Sequence, residues 1–208
     1  MEEDAKVEWS TQLEDILAQE GEKCRGLAWL HTRAEALTSK FNTYVQVPVI
    51  VLSTLAGTAS VGSATLFGGG PASSIAIGLV SISVGILNTL GSFFAFAKRS
   101  EAHRIAHLNY SKLSTRISIE LSLPRDQRME ADPFLENTRE TMERLAETAP
   151  LCPEAIIAEF NEKFKNTNVT LPAETNGLHK ITVFRGETHV KTPMETPPNE
   201  AAFKITVR

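Results

Sequence analysis

Two histidines four residues apart, in Glu101-Ala-His103-Arg-Ile-Ala-His107, come nearest to a chemical site by type and spacing. One helix face could carry both imidazoles to a single metal ion. The stretch lacks the glutamate after the first histidine that a zinc-hydrolase helix requires, and Arg104 adds positive charge beside it. His103 and His107 therefore read as polar contacts between helices or at an interface, and no metal is assigned. Cys24 and Cys152 lie far apart with no Cys-x-x-Cys partner and read as small buried apolar residues. Gly68-Gly69-Gly70 could cradle a phosphate, but no Gly-Lys-Ser/Thr follows and no strand precedes, so it reads as a turn. Asn168-Val-Thr170 fits the glycosylation triplet, which a cytoplasmic location leaves unmodified. No nucleophile, base and orienting acid can be assembled. The reading is a non-enzyme with no catalytic residue and no cofactor.

A different pattern is more informative. Ser81, Gly85, Asn88 and Ser92 step by four, three and four, which sets them on one helix face; Gln46, Ser53, Gly57 and Ser60 share a second face. Such faces either let helices approach closely and hydrogen-bond, or line a wet pathway. Both lie inside 57 consecutive residues, Phe41 to Ala97, without one Asp, Glu, Lys, Arg or His. A chain of 208 residues has too little polar mass to wrap that stretch in water.

Two membrane-spanning helices of about 20 residues account for it. The chain then divides into an amphipathic cytoplasmic helix over 1–40, a transmembrane helix over 41–61 and a non-cytoplasmic turn over 62–74. A second transmembrane helix over 75–97 follows, then a cytoplasmic helical region over 98–165 and a C-terminal tail with short strands over 166–208. The turn holds three glycines and Pro71, which cannot continue a helix cheaply. Arg25, Arg33 and Lys40 precede the first span, and Lys98, Arg99, Arg104 and Lys112 follow the second. The connection between them has no cation, so both termini are expected in the cytoplasm. The start Met1-Glu2-Glu3-Asp4 is acidic and gives no cleavable signal. A buried hairpin in a soluble bundle is the plainer alternative.

Outside the spans, apolar residues at Trp9, Leu13, Ile16, Leu17, Cys24, Leu27, Leu30, Ala34 and Leu37 form a helical face, with Gly21 as a bend and Thr11-Gln-Leu-Glu14 as a capping box. Ala102, Ala106, Tyr110, Leu113, Ile117 and Leu121 continue the period, predicting a helix that leaves the membrane unbroken until Pro124. Asp132-Pro133 caps a helix over 134–147 facing inward with Phe134, Met142 and Leu145; Pro153 opens another with Ile156, Ile157, Phe160 and Phe164. In the tail, Lys180-Ile-Thr-Val-Phe-Arg185 and Lys204-Ile-Thr-Val-Arg208 read as a strand pair that could add to a partner's sheet; a disordered tail is the alternative.

The order of features resembles the SLATT family of two-transmembrane proteins, which is associated with nucleotide-signalling conflict systems. Arg33-Ala34, the small-residue hairpin, Arg99-Ser-Glu101-Ala-His103 and Tyr110-Ser-Lys-Leu113 carry the resemblance. Ile117-Ser-Ile-Glu-Leu121-Ser-Leu-Pro124 and Ala149-Pro150-Leu-Cys-Pro153 continue it, over roughly residues 10–165. The resemblance implies an oligomeric membrane effector that forms pores when a linked sensor is activated. This sequence departs from the family in having no nucleotide-sensing domain, and its tail has no counterpart there.

The fold expected is an all-α membrane protein: a two-transmembrane helical hairpin with long cytoplasmic helical extensions and a short β-like C-terminal tail. The function expected is a homo-oligomeric pore or channel-like assembly. The runner-up is a non-conducting membrane scaffold or virion membrane protein that docks partners through its helices and tail. Membrane lipids, further copies of the chain and a protein partner for the tail are the expected partners. Nucleic acid is not, because a net charge of −4 gives no excess cation density for phosphates.

Overall fold

Fifty-one residues, Thr11–Val61, form one unbroken helix, α1, about 75 Å long at 1.5 Å per residue. The expected amphipathic segment and the first apolar span are thus a single rod. The computed structural model describes residues 7–62, 70–176 and the single residue 181. The remaining elements are α2 (Pro71–Phe94), α3 (Phe96–Ser122), a 3₁₀ turn (Arg125–Gln127), α4 (Ala131–Thr148), α5 (Glu154–Phe164) and the one-turn α6 (Ala173–Asn176). The described residues are mostly helical, with no strand among them. The strand pair expected at 180–185 and 204–208 lies outside the described residues, apart from Ile181, which is exposed and in no element.

Several local expectations are corrected. The cap of α1 is Ser10, whose hydroxyl accepts from the Leu13 amide at 3.2 Å, and not Thr11. Glu14 is free of that cap because two arginines hold it. Gly21 does not bend α1 but faces Ile117, whose Cγ2 would sit 3.2 Å from a Cβ added at Gly21. α2 begins at Pro71, four residues before the expected span, since proline needs no partner for a missing amide hydrogen at a helix start. α4 begins at Ala131 after Glu130, so Asp132 is a first-turn acid and not the cap.

The rod leaving the apolar segment is also broken. Ala95 takes a left-handed conformation (φ 48°, ψ 42°) and separates α2 from α3. For alanine this costs about 1–2 kcal/mol. The hydrogen-bond ladder survives on both sides, from the Ala95 amide to the Gly91 carbonyl and from the Arg99 amide to the Ala95 carbonyl, each at 3.0 Å. Phe41, Phe94 and Phe96 crowd the break, with centroid separations of 5.8 Å between Phe41 and Phe96 and 5.3 Å between Phe94 and Phe96.

α1 runs antiparallel to α2 and α3. The register is read from Trp9 beside Met129, Gly21 beside Ile117, His31 beside His103 and Phe41 beside Phe96. Buried positions on α1 fall at Leu17, Gly21, Cys24, Ala28 and His31, and on α3 at His103, Ala106, Tyr110, Leu113, Ile117 and Glu120. Alternating steps of three and four mark the seam of a two-stranded coil. α4 closes one side, with Phe134 and Leu145 joining Leu17, Leu113 and Ile117. α5 closes another, with Ile156 and Phe160 against Leu30. The start of the expected tail also belongs to this body: the Thr170 amide donates to the Glu22 carboxylate at 2.7 Å, and Pro172 is buried over Gly26.

At the far end of the rod, Glu14 accepts from Arg125 Nε and Arg128 Nη1, both at 2.6 Å. The hydrogen bonds from Arg125 and then Arg128 hold its carboxyl down, from an ordinary 4.5 to about 2. Because the folded value lies below the unfolded one, this contribution is complete above about pH 4.5 and is lost as pH falls toward about 2. Trp9 reports on it, since its indole N–H donates to the Met129 carbonyl at 2.8 Å and Arg128 lies 5.0 Å over its ring. In a Trp29→Phe background, Trp9 near-ultraviolet dichroism is expected to fade through that acid window. Glu14→Gln should start weaker and stay flat there; an unchanged wild-type signal at the acid end would remove the clasp.

Candidate functional site

The fold turns one of the eight small or polar face residues inward and leaves the other seven outside. Within the hairpin, α1 meets α2 through Leu52, Ala56 and Ala59 against Ala76, Ile77 and Val80, around a cavity of about 240 Å³. Gln46 turns into this seam, where its Nε2 would lie 3.7 Å from a Cβ at Gly91 and Val45 Cγ1 3.3 Å from it. Glycine there lets the helices approach. Ser53, Gly57, Ser60, Ser81, Gly85, Asn88 and Ser92 face outward and are exposed. A Cβ at Gly57 or Gly85 would meet nothing within 4 Å. The Ser81 hydroxyl is satisfied within its helix, donating to the Ile77 carbonyl at 2.9 Å. Asn88 supplies the one side-chain amide of α2, and it makes no hydrogen bond to another described residue.

Around these positions the hairpin is covered by exposed aliphatics, among them Ile50, Leu55, Ile75, Leu79, Ile82 and Ile86. No residue of α2 is buried. Both long helices are apolar and long enough to cross a membrane. Among the described residues, no part of the chain encloses them.

A second cluster lies at the coiled seam, nearer the charged ends of the apolar segments. His31 of α1 and His103 of α3 are 2% and 3% exposed, and their Nδ1 atoms approach to 2.9 Å. Tyr110 stacks flat on His31 at 5.6 Å and 6°. Cys152, in the connection between α4 and α5, places Sγ 3.8 Å from His31 Nδ1. His107 is turned away from this group. Its Nδ1 lies 2.7 Å from the Thr32 hydroxyl oxygen and 3.1 Å from the Ala28 carbonyl. Since a carbonyl only accepts, that nitrogen carries the proton. His103 and His107 therefore contact different partners on α1 and do not share a ligand.

Burial sets the protonation of this cluster. It pushes His31 down from 6.5 to about 4, helped by His103, and it lowers His103 with Arg99 adding to the effect. Both rings are neutral near pH 7. Burial pushes the Cys24 thiol up to about 12 and the Cys152 thiol to about 11, so neither is an activated nucleophile. Tyr110 rises to about 12 for the same reason.

His31 and the approach of Cys152 were not legible as a site. The signal for His31 was present in the seven-residue spacing of Leu17, Cys24, His31 and Thr38, all buried on one face. A histidine in that series has to find a polar partner across the seam. For Cys152 no sequence signal exists, because its neighbours come from elements 121 and 49 residues away. Compared with family models, curated proteins and solved structures, the chain matches none.

Proposed function

We propose that this protein inserts its hairpin into a membrane and assembles with copies of itself into a pore or channel-like structure. One observation carries the reading: the outward small-residue faces of both apolar helices, with Asn88 among them, are left uncovered by the chain itself. An amide facing hydrocarbon without a partner is costly, and a neighbouring subunit or a wet axis relieves it. Small side chains beside it let a second hairpin approach closely. The cations at the same end of both helices favour an orientation with the helical body in the cytoplasm. The resemblance to the SLATT family points to the same role.

Purified protein in liposomes is expected to pass ions, with Asn88→Leu lowering the flux by about tenfold, equivalent to ~1.4 kcal/mol of added barrier. Unchanged flux in that variant removes Asn88 from the pathway. Sealed liposomes containing inserted wild-type oligomer would instead favour the non-conducting scaffold, whose tail binds a soluble partner.

A further inference from the structure

The buried side chains of His31 and His103 and the half-buried side chain of Cys152 converge from α1, α3 and the α4–α5 connection. Their ligating atoms all lie within 4.8 Å of one another. His31 Nδ1 faces two groups at once, His103 Nδ1 at 2.9 Å and Cys152 Sγ at 3.8 Å. A neutral imidazole nitrogen has one lone pair or one proton to offer, so it cannot satisfy both neighbours fully. A cation at the centre can engage all three lone pairs.

We propose that His31, His103 and Cys152 form a binding site for a zinc-class divalent ion, with two nitrogen donors, one thiolate and a fourth position open. In tetrahedral zinc sites, bond lengths of about 2.0–2.1 Å to nitrogen and 2.3 Å to sulfur set N···N near about 3.4 Å and N···S near about 3.6 Å. The observed separations are 2.9 and 3.8 Å. Around His31 the rings need to part by about half an ångström and the sulfur to close by about 0.2 Å, and the third pair, Cys152 with His103, starts within 4.8 Å. On binding, the Cys152 thiol releases its proton to solvent. The proton between the two rings leaves its Nδ1 for an Nε2, so that both Nδ1 lone pairs meet the ion. The mixed N₂S set favours zinc-class ions over magnesium or calcium, which take oxygen ligands.

The surroundings are built for a fixed geometry. Tyr110 holds the His31 ring from its face, and Pro150 and Pro153 stiffen the backbone on either side of Cys152. Cys24, also buried, is not a member of the set. Nor is His107, whose Nδ1 is engaged by Ala28 and Thr32. A bound ion ties α1, α3 and the α4–α5 connection together between the apolar hairpin and the helical body, and this does not depend on whether the hairpin conducts.

The test uses the full chain in detergent, reduced, stripped with chelator and titrated with Co²⁺ as the probe. One cobalt per chain is expected, with the intense visible bands of a tetrahedral site and a near-ultraviolet sulfur-to-cobalt charge-transfer band. Zinc should displace it. Cys152→Ser should abolish the charge-transfer band and weaken binding by more than about a hundredfold, and His103→Asn should remove the tetrahedral bands. Cys24→Ser and a His179→Asn/His189→Asn double variant should keep the full spectrum, and circular dichroism checks that each variant is folded. Absence of stoichiometric binding overturns the site and leaves the pair as a buried hydrogen bond. So does a charge-transfer band that survives Cys152→Ser or disappears in Cys24→Ser.

Discussion

Phe134→Ala is expected to lower the stability of the folded chain by about 3–5 kcal/mol, the range for emptying a fully buried aromatic position. Phe134 is completely inaccessible and sits among Leu17, Cys24, Leu113, Ile117 and Leu145. Its ring also meets Trp9 at 5.8 Å, and the Arg116 guanidinium lies 5.6 Å over it. The residue is the main anchor of α4 on the paired rods, so its loss leaves a void bounded by three elements that cannot all collapse into it. Thermal unfolding in detergent, followed by circular dichroism, should shift down by about 10 °C for a chain of this size. Amide exchange should rise first across 131–148. A loss below about 1 kcal/mol would mean that α4 is held by its charged rim and not by this ring.

Arg128→Ala should cost about 2–4 kcal/mol, through several interactions made by one nearly buried guanidinium. Its side chain is 8% exposed and donates to the carbonyls of Leu123 at 2.8 Å and Leu121 at 3.2 Å, the end of α3. The same group pairs with Glu14 at the start of α1 and covers the Trp9 ring. Helix C-termini leave four carbonyls without intrahelical partners, and here one planar fork serves two of them. Arg128→Lys should recover only part of the loss, because an ammonium keeps the charge but not the fork or the stacking face. Thermal melts of both variants, each with and without Glu14→Gln, should be non-additive, since the two residues share one network. Full additivity would dissolve the clasp into independent contacts.

The long-range consequence is mechanical. Clasp, Phe134 anchor and histidine cluster are spaced along the same antiparallel pair, so the rod that continues into the apolar hairpin is held at its far end and near the apolar segment. Along these two rods the interruption falls at Ala95, between the apolar segment and the body, where three phenylalanines crowd the step. Any force passed from the helical body to the hairpin crosses that residue between α3 and α2, whereas α1 carries it without a break.

Much of this was present in the order of residues. A run of 57 neutral positions with two long apolar stretches around a glycine-proline turn made two long apolar helices legible, because a helix satisfies every backbone group within its own segment. The period of Ala106, Tyr110, Leu113 and Ile117 fixes the buried face of α3, and Phe134, Leu145, Ile156 and Phe160 were readable as inward residues for the same reason. Periodicity specifies a face, but not what lies opposite it. Only the tertiary pairing placed Gln46 in the seam and Ser53, Gly57, Asn88 and Ser92 outside it. The cap is Ser10 and not Thr11, and Glu14 is held by two arginines more than a hundred residues further on. His31, His103 and Cys152 meet because α1, α3 and the α4–α5 connection fold back on one another, and no local spacing encodes contacts that span 72 and 121 residues.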